Sequence, residues 1–331
     1  MDLEMVETLP VTTEYVPCDL CGSTDHELLF SKIDPVTGHE FHLVHCSCGM
    51  ALVNPMPTEE SMPLWYPHDY HEHKELKSGM HHSMLRFIQV ASGRKLLDIG
   101  CGRGDFIHLA SQAGWDVCGV ENVEWDSPFT VPVHVGDFLT MDFPERTYDV
   151  ITAWAVLEHV RQPSKFFERV SKLLSDQGLF VFLVPNIAAP GMRVACAEDI
   201  PRHLWHFSPK AVREYLGKYG MRVASIAHNS AIYSAYPFGL LRYAFHRLGK
   251  NDRKCIHYQN GAVALLRNRQ LKGNLGIWLA EVRSRLTFWE MAIDAADLAL
   301  GVAVAQVSKL IRNYGVITVT AERDNSDHRS G

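Results

Sequence analysis

Apolar and polar positions along the chain change period in a regular way. Leu96-Leu97-Asp98-Ile99 is a short apolar run of strand length. Behind it, Phe106, Ile107, Leu109 and Ala110 fall at helical spacing. Residues 114–121 read as a second strand, 131–135 as a third, and 148–160 as a buried strand running into a loop and helix. Residues 164–174 form an amphipathic helix, Asp176-Gln177-Gly178 a turn, and 179–184 a fifth strand. Ser208 before Pro209 is an N-cap and first-turn pair that opens a helix to Gly217. Residues 222–227 then read as strand six, and 315–321 alternate like a last strand. Strands interleaved with helices predict an α/β domain.

The organising stretch is Asp98-Ile99-Gly100-Cys101-Gly102-Arg103-Gly104, between the first strand and its helix. Glycines tolerate positive φ and let a ligand approach the backbone. Such a turn lies at the carboxyl end of a parallel strand, where α/β sheets bind ligands. The spacing is G-x-G-x-G rather than the G-x-G-x-x-G of a dinucleotide site, and Asp98 precedes the first glycine by two. An acid there repels a pyrophosphate and suits a cationic ligand, which speaks against a nicotinamide-dependent oxidoreductase.

The D-x-G-x-G-x-G run resembles motif I of the class I S-adenosylmethionine (SAM)-dependent methyltransferases, and SAM carries an ammonium and a sulfonium. The resemblance implies a Rossmann-like, seven-stranded α/β sheet ending in a β-hairpin. Asp98 would bind the methionine ammonium, with Gly100, Cys101, Gly102 and Gly104 forming the turn. Glu121, at the end of the second strand, would accept from the ribose hydroxyls. Asp137 would sit near the adenine amine with Phe138 against the ring, and Trp154 would line the pocket. Residues 122–130 are too short, and broken by Pro128, for a full crossover helix. Glu158-His159 matches the E-H pair that many small-molecule methyltransferases carry after strand four. There His159 would be a base, with helix capping or a backbone bond as the alternative reading.

Cys18-Asp19-Leu20-Cys21-Gly22 and His45-Cys46-Ser47-Cys48-Gly49 flank a β-like segment and read as a zinc ribbon. Cys18, Cys21, Cys46 and Cys48 are the expected ligands; His45 competes with Cys46 because His45-x-x-Cys48 restores the regular knuckle spacing. Four protein ligands would close the site and make the zinc structural. With the aromatics of 65–70, the cluster resembles the zinc module fused to some methyltransferases of sugars and secondary metabolites. Thr58-Glu59-Glu60 reads as a helix start, and 71–92 as a linker helix that includes His71, His73, His81 and His82. Tyr70, Arg202 and His203 are candidate substrate contacts, whereas Trp205, His206 and Phe207 read as packing.

A net charge of −6 argues against a nucleic-acid partner. Eight cysteines, and an acidic start without an apolar leader, fit reduced thiols and a cytoplasmic enzyme. The expected organisation is an arm at 1–16, the ribbon at 17–57, linker helices at 58–92, the SAM domain at 93–230, a helical insertion at 231–313, the final strand at 314–323 and a disordered tail at 324–331. Within the insertion, 275–311 is apolar but interrupted by Asp294 and Asp297. A cap over the site, a homodimer face and a membrane-surface helix stay open for it. The expected reaction is methyl transfer from SAM to a small-molecule acceptor, most simply a sugar or other biosynthetic intermediate. A SAM-binding adaptor without turnover is the non-enzyme alternative.

Overall fold

The computed structural model describes residues 10–34, 36–66, 78–228, 231–233, 237, 239–241, 244, 255–256 and 288–324. The chain opens with five strands: β1 Thr13–Glu14, β2 Glu27–Ile33, β3 Glu40–His45, β4 Ala51–Val53 and β5 Met56–Pro57. After a 3₁₀ turn at Met62–Trp65 comes α1, Ser78–Ile88. Then follow β6 Lys95–Ile99, α2 Asp105–Gln112, β7 Asp116–Glu121, β8 Val133–Val135, β9 Tyr148–Trp154, α3 Pro163–Leu173 and β10 Leu174–Pro185. The rest is α4 Met192–Ala195, β11 Trp205–His206, α5 Pro209–Lys218, β12 Met221–Ala227, β13 Cys255–Ile256, α6 Phe288–Leu310 and β14 Val316–Arg323.

The main sheet has seven strands in the order β12-β14-β10-β9-β6-β7-β8. Strands β10, β9, β6, β7 and β8 pair in parallel, and β14 pairs antiparallel between β10 and β12. Consecutive residues alternate between the two faces. Leu97, Ile151, Phe180 and Phe182 join one core cluster, and Leu96, Val150, Val181 and Leu183 the other. Both faces are therefore covered, as a parallel sheet requires. From β6 the chain moves outward to β7 and β8, then returns to β9 on the other side of β6. This reversal opens the ligand crevice at the carboxyl ends of β6 and β9.

Element types agree with the sequence expectation, and most ends differ by a residue or two. Residues 122–132 hold neither helix nor strand, as expected for so short a crossover. The expected turn at Asp176–Gly178 is instead an irregularity within β10, whose pairing with β9 breaks between Leu174 and Leu179. The expected helix start at Thr58 gives way to turns and the short 3₁₀ segment, with Pro63 in its first turn.

The cysteine-bearing strands do not form a closed module. Their sheet runs β11-β4-β3-β2-β13, so its two outer strands come from far along the chain. Trp205 pairs with Leu52 and His206 with Ala51. Leu20, Val44 and Met50 share one core cluster with Phe167, Tyr215 and Phe182, so ribbon and α/β domain are packed as one body.

Of the insertion, α6 is the largest described part. Asp297, one of the acids that interrupt its apolar run, is buried and accepts from the Leu241 amide at 3.2 Å. Leu310 is 84% exposed and Val307 and Ile311 are also exposed. Among the described residues no helix is long and apolar enough to cross a membrane. The readings for most of the rest of 231–313, for Tyr70, His71 and His73, and for most of the tail fall on residues outside the described set.

Candidate active site

The turn after β6 is built on positive φ at Gly100 (69°) and Gly102 (55°), a region costly for other residues. The amides of Gly100 and Cys101 both donate to the Val120 carbonyl, at 2.8 and 3.1 Å, which folds the turn against β7. A Cβ on Gly100 would stand 2.5 Å from a Val156 methyl, whereas one on Gly102 would face open space. So Gly100 locks the turn to the segment after β9, and Gly102 presents bare backbone to the crevice. Gly104 starts α2 without a side-chain cap, which leaves the first-turn amides of the helix available to a ligand.

Three acids line successive strand ends. Asp98 is 2% exposed and accepts from the Thr152 hydroxyl of β9 at 2.5 Å. Burial, aided by the Glu121 charge, pushes its carboxyl up to about 8. Glu121 folds back on the turn, accepting from the amides of Gly102 and Asn122, both at 2.8 Å. Burial raises its carboxyl too, against the pull of those amides. Asp137 accepts from the Leu139 amide at 2.9 Å. Phe138 is a core residue, packed against Phe166 with the Arg169 guanidinium over its ring. It is 2% exposed in the unliganded fold. Trp154 lies edge-on to Phe106 at 5.5 Å, and its buried indole N–H finds no acceptor among the described residues.

A second cluster follows β9. Ala155 holds a φ of 58°, a strained conformation for a side-chain-bearing residue, and its amide donates to the Leu183 carbonyl. The Glu158 carboxyl is buried, burial pushes it up to about 8, and its Oε2 has no partner among the described residues. Nδ1 of the half-buried His159 lies 2.8 Å from the Tyr66 hydroxyl and 3.1 Å from the Arg202 carbonyl. Both contacts fall on one nitrogen, so its role depends on the tautomer: with the ring proton on Nδ1 the carbonyl accepts and Nε2 keeps its lone pair, and with it on Nε2 the Tyr66 hydroxyl donates to Nδ1. Burial, with the adjacent His203, holds the imidazole well below its usual range, so it is neutral at pH 7.

His203 packs edge-on to His159 at 4.6 Å, and Arg202 pairs with Asp199 at 3.3 Å. The predicted residues Glu158, His159, Arg202 and His203 thus do come together. Trp205, His206 and Phe207 are buried, as packing requires. Sequence reasoning grouped Tyr66 with the aromatics of 65–70 without singling it out. Of the two that are described, Trp65 is a core residue that donates to Asp34, and Tyr66 reaches the histidine.

The four predicted cysteines converge, with all sulfurs within 4.8 Å of one another. Cys18 and Cys48 are 3.6 Å apart, Cys21 and Cys46 3.4 Å. A tetrahedral zinc with four thiolates at ~2.3 Å needs sulfur separations of about 3.8 Å, so this donor set fits the ion. Burial pushes the Cys48 thiol up to about 12, which a bound cation would reverse. His45 is not in this group.

Comparison with known proteins bears on the same region. A family profile described as a methyltransferase domain matches residues 70–226. The chain carries a class I SAM-dependent methyltransferase domain. Curated relatives that it matches include ubiquinone biosynthesis O-methyltransferases. That of Proteus mirabilis is 29% identical over 118 residues, covering 31% of this chain and 48% of the relative. That of Roseobacter denitrificans is 31% identical over 136 residues, covering 37% and 53%. The chain therefore spans about half the length of the curated relatives it matches. Among solved structures, a SAM-dependent methyltransferase from Archaeoglobus fulgidus covers 73% of this chain and 92% of its own, at 16% identity and a TM-score of 0.44. One from Mesorhizobium loti covers 72% and 96%, at 14% identity and a TM-score of 0.42. The methyltransferase match includes the glycine turn, all three acids, Glu158 and His159, and arm and ribbon precede it.

Proposed function

We propose that this methyltransferase domain moves a methyl group from SAM to a small-molecule acceptor, with His159 as the base. SAM, when bound, supplies a methyl group on a sulfonium, and every other requirement falls on the chain. Asp98 holds the ammonium, Glu121 the ribose hydroxyls and Asp137 the adenine amine. The bare backbone at Gly102 and the unmatched indole N–H of Trp154 fit a polar ligand in this crevice. Methyl transfer is an in-line displacement, so holding donor and acceptor in register supplies much of the rate.

The observation that carries the acceptor side is His159, neutral by burial and pinned at Nδ1, on the segment that Val156 locks to the glycine turn. With the ring proton on Nδ1, Nε2 is the atom that takes the acceptor's proton, while Nδ1–H stays on the Arg202 carbonyl. Glu158, protonated at neutral pH, is a donor rather than a second base. The relatives are O-methyltransferases, which favours a hydroxyl on a biosynthetic intermediate, a sugar or an aromatic. Zinc in the cysteine tetrad is structural in this reading.

The test incubates labelled SAM with a panel of nucleotide sugars and dihydroxybenzoates. Wild type transfers label to one class, and His159→Gln loses about 10²- to 10⁴-fold in rate with SAM affinity unchanged. Unchanged turnover in that variant removes His159 from the chemistry. SAM binding with no labelled product from any acceptor class favours the adaptor.

A further inference from the structure

We propose that Asp19 is a positioning residue: it caps helix α3 from the ribbon side and so ties the metal cluster to the loop that carries His159. The link itself needs no assumption about turnover; only its consequence for the base rests on the reading above.

Helix α3 lacks a cap of its own. Its N-cap residue, Gln162, makes no side-chain cap bond, and Pro163 at the first position has no N–H. The first free amide is that of Ser164, which donates to Asp19 Oδ2 at 2.7 Å, while the Ser164 hydroxyl donates to Oδ1 at 2.8 Å. The Tyr215 hydroxyl of α5 adds a third bond to Oδ2 at 2.8 Å. A carboxylate at this position meets the positive end of the helix dipole. It comes from the turn between β1 and β2, 145 residues away in sequence.

Asp19 sits between Cys18 and Cys21, inside the first knuckle. That turn is closed by the Gly22 amide on the Cys18 carbonyl at 2.7 Å and the Cys18 amide on the Ser23 carbonyl at 2.8 Å. Whatever fixes the two sulfurs fixes the carboxylate between them. The loop from His159 to Gln162 is then held at both ends by ribbon-side groups. Tyr66 bonds His159 itself, and the Arg161 guanidinium bonds the Pro57 carbonyl and Glu14. The second histidine-bearing loop is fastened the same way: β11 is a strand of the ribbon sheet, and the amides of Leu204 and Trp205 donate to the Glu158 carbonyl. On the donor side, the bonds described above for Asp98, Glu121 and Asp137 go to Thr152, Gly102, Asn122 and Leu139, all inside the methyltransferase domain. Loosening the knuckle therefore acts on the acceptor side and spares the SAM side.

The experiment uses the zinc-loaded full chain with Asp19→Ala, Asp19→Asn and Tyr215→Phe. It reads hydrogen exchange of peptides across 157–165 and across the glycine turn, together with zinc content and SAM affinity. In Asp19→Ala, opening of 157–165 rises about fivefold, the effect of one lost N-cap. Zinc content, glycine-turn exchange and SAM affinity stay within twofold. Asn also caps helices, so Asp19→Asn restores protection, which a merely charge-based effect would not do. Stripping zinc from wild type with a chelator raises exchange in 157–165 and again spares the glycine turn. Unchanged exchange in 157–165 after either perturbation overturns the proposal, as does parallel loss at both segments. Should Asp19→Ala not fold, Tyr215→Phe removes one of the three bonds, and a smaller rise confined to 157–165 is required. Failure of the methyl-transfer reading would show as absent SAM binding or absent labelled product in wild type and leaves the exchange result standing.

Discussion

Replacing Asp98 by Asn separates stability from ligand binding at one atom. The carboxyl is 2% exposed and pushed from 3.8 up to about 8, chiefly by burial. At pH 7 the unliganded fold holds it protonated, while the unfolded chain releases that proton. An acid whose folded value is raised favours the fold at low pH, and stability then falls as pH rises from about 4 to about 8. At ~1.4 kcal/mol per pH unit, the cost at pH 7 is on the order of 4 kcal/mol. Asparagine keeps an Oδ1 for the Thr152 hydroxyl and has no proton to lose. The unliganded variant should therefore be at least as stable as wild type at pH 7, with an advantage that grows between pH 5 and 8. SAM binding moves the other way. The ammonium needs the ionised carboxylate, and a charge-assisted bond is worth ~1.5–3 kcal/mol, so the variant's Kd should rise roughly 10- to 150-fold. In wild type the affinity should climb with pH until Asp98 is fully ionised, above about 8. Denaturant unfolding across pH and calorimetric titration with SAM read both effects. An affinity within twofold of wild type, or a variant less stable than wild type at pH 7, would refute the assignment.

Other expectations follow from single contacts. Gly100→Ala adds a Cβ 2.5 Å from Val156 at a φ of 69°, so unfolding free energy should drop by ~1–3 kcal/mol and SAM affinity should fall with it; an unchanged melting temperature would show that the turn is not locked to the segment after β9. With His159 held well below 6.5 by burial, the base form persists through neutrality, and at saturating SAM the rate of methyl transfer should be flat from pH 7 to 8 and fall only in acid; a rise centred near 6.5 would contradict the buried environment formed with Glu158, Asp199, Arg202, His203 and Tyr66. Metal analysis should find one zinc per chain, and Cys21→Ser should lose most of it and lower the melting temperature, whereas zinc retained in full by that variant would mean the tetrad is not the site.

Much of the main sheet was legible because its strands are short apolar runs ending in glycine or an acid. Asp98, Glu121 and Asp137 lie at strand ends that periodicity alone locates. Three of the four clustered cysteines were equally plain from spacing, whereas the irregular second pair left Cys46 and His45 open until the fold grouped Cys46 with the others. What resisted reading depends on contacts distant in sequence. Trp205-His206 reads as packing, and it is packing, but nothing local says that it completes the ribbon sheet. Tyr66 and Asp19 look like ordinary loop residues; their partners lie 93 and 145 residues away. The burial of Phe138 was hidden for a related reason: the Phe166 ring packed against it comes from another element.

The central claim is the identity of the small molecule in the crevice between β6 and β9. Calorimetric titration of the full chain with SAM and, separately, with NAD tests it most directly. The account predicts saturable one-to-one binding of SAM, weakened by Asp98→Asn, and no heat from NAD. Saturable binding of NAD with none of SAM would contradict it.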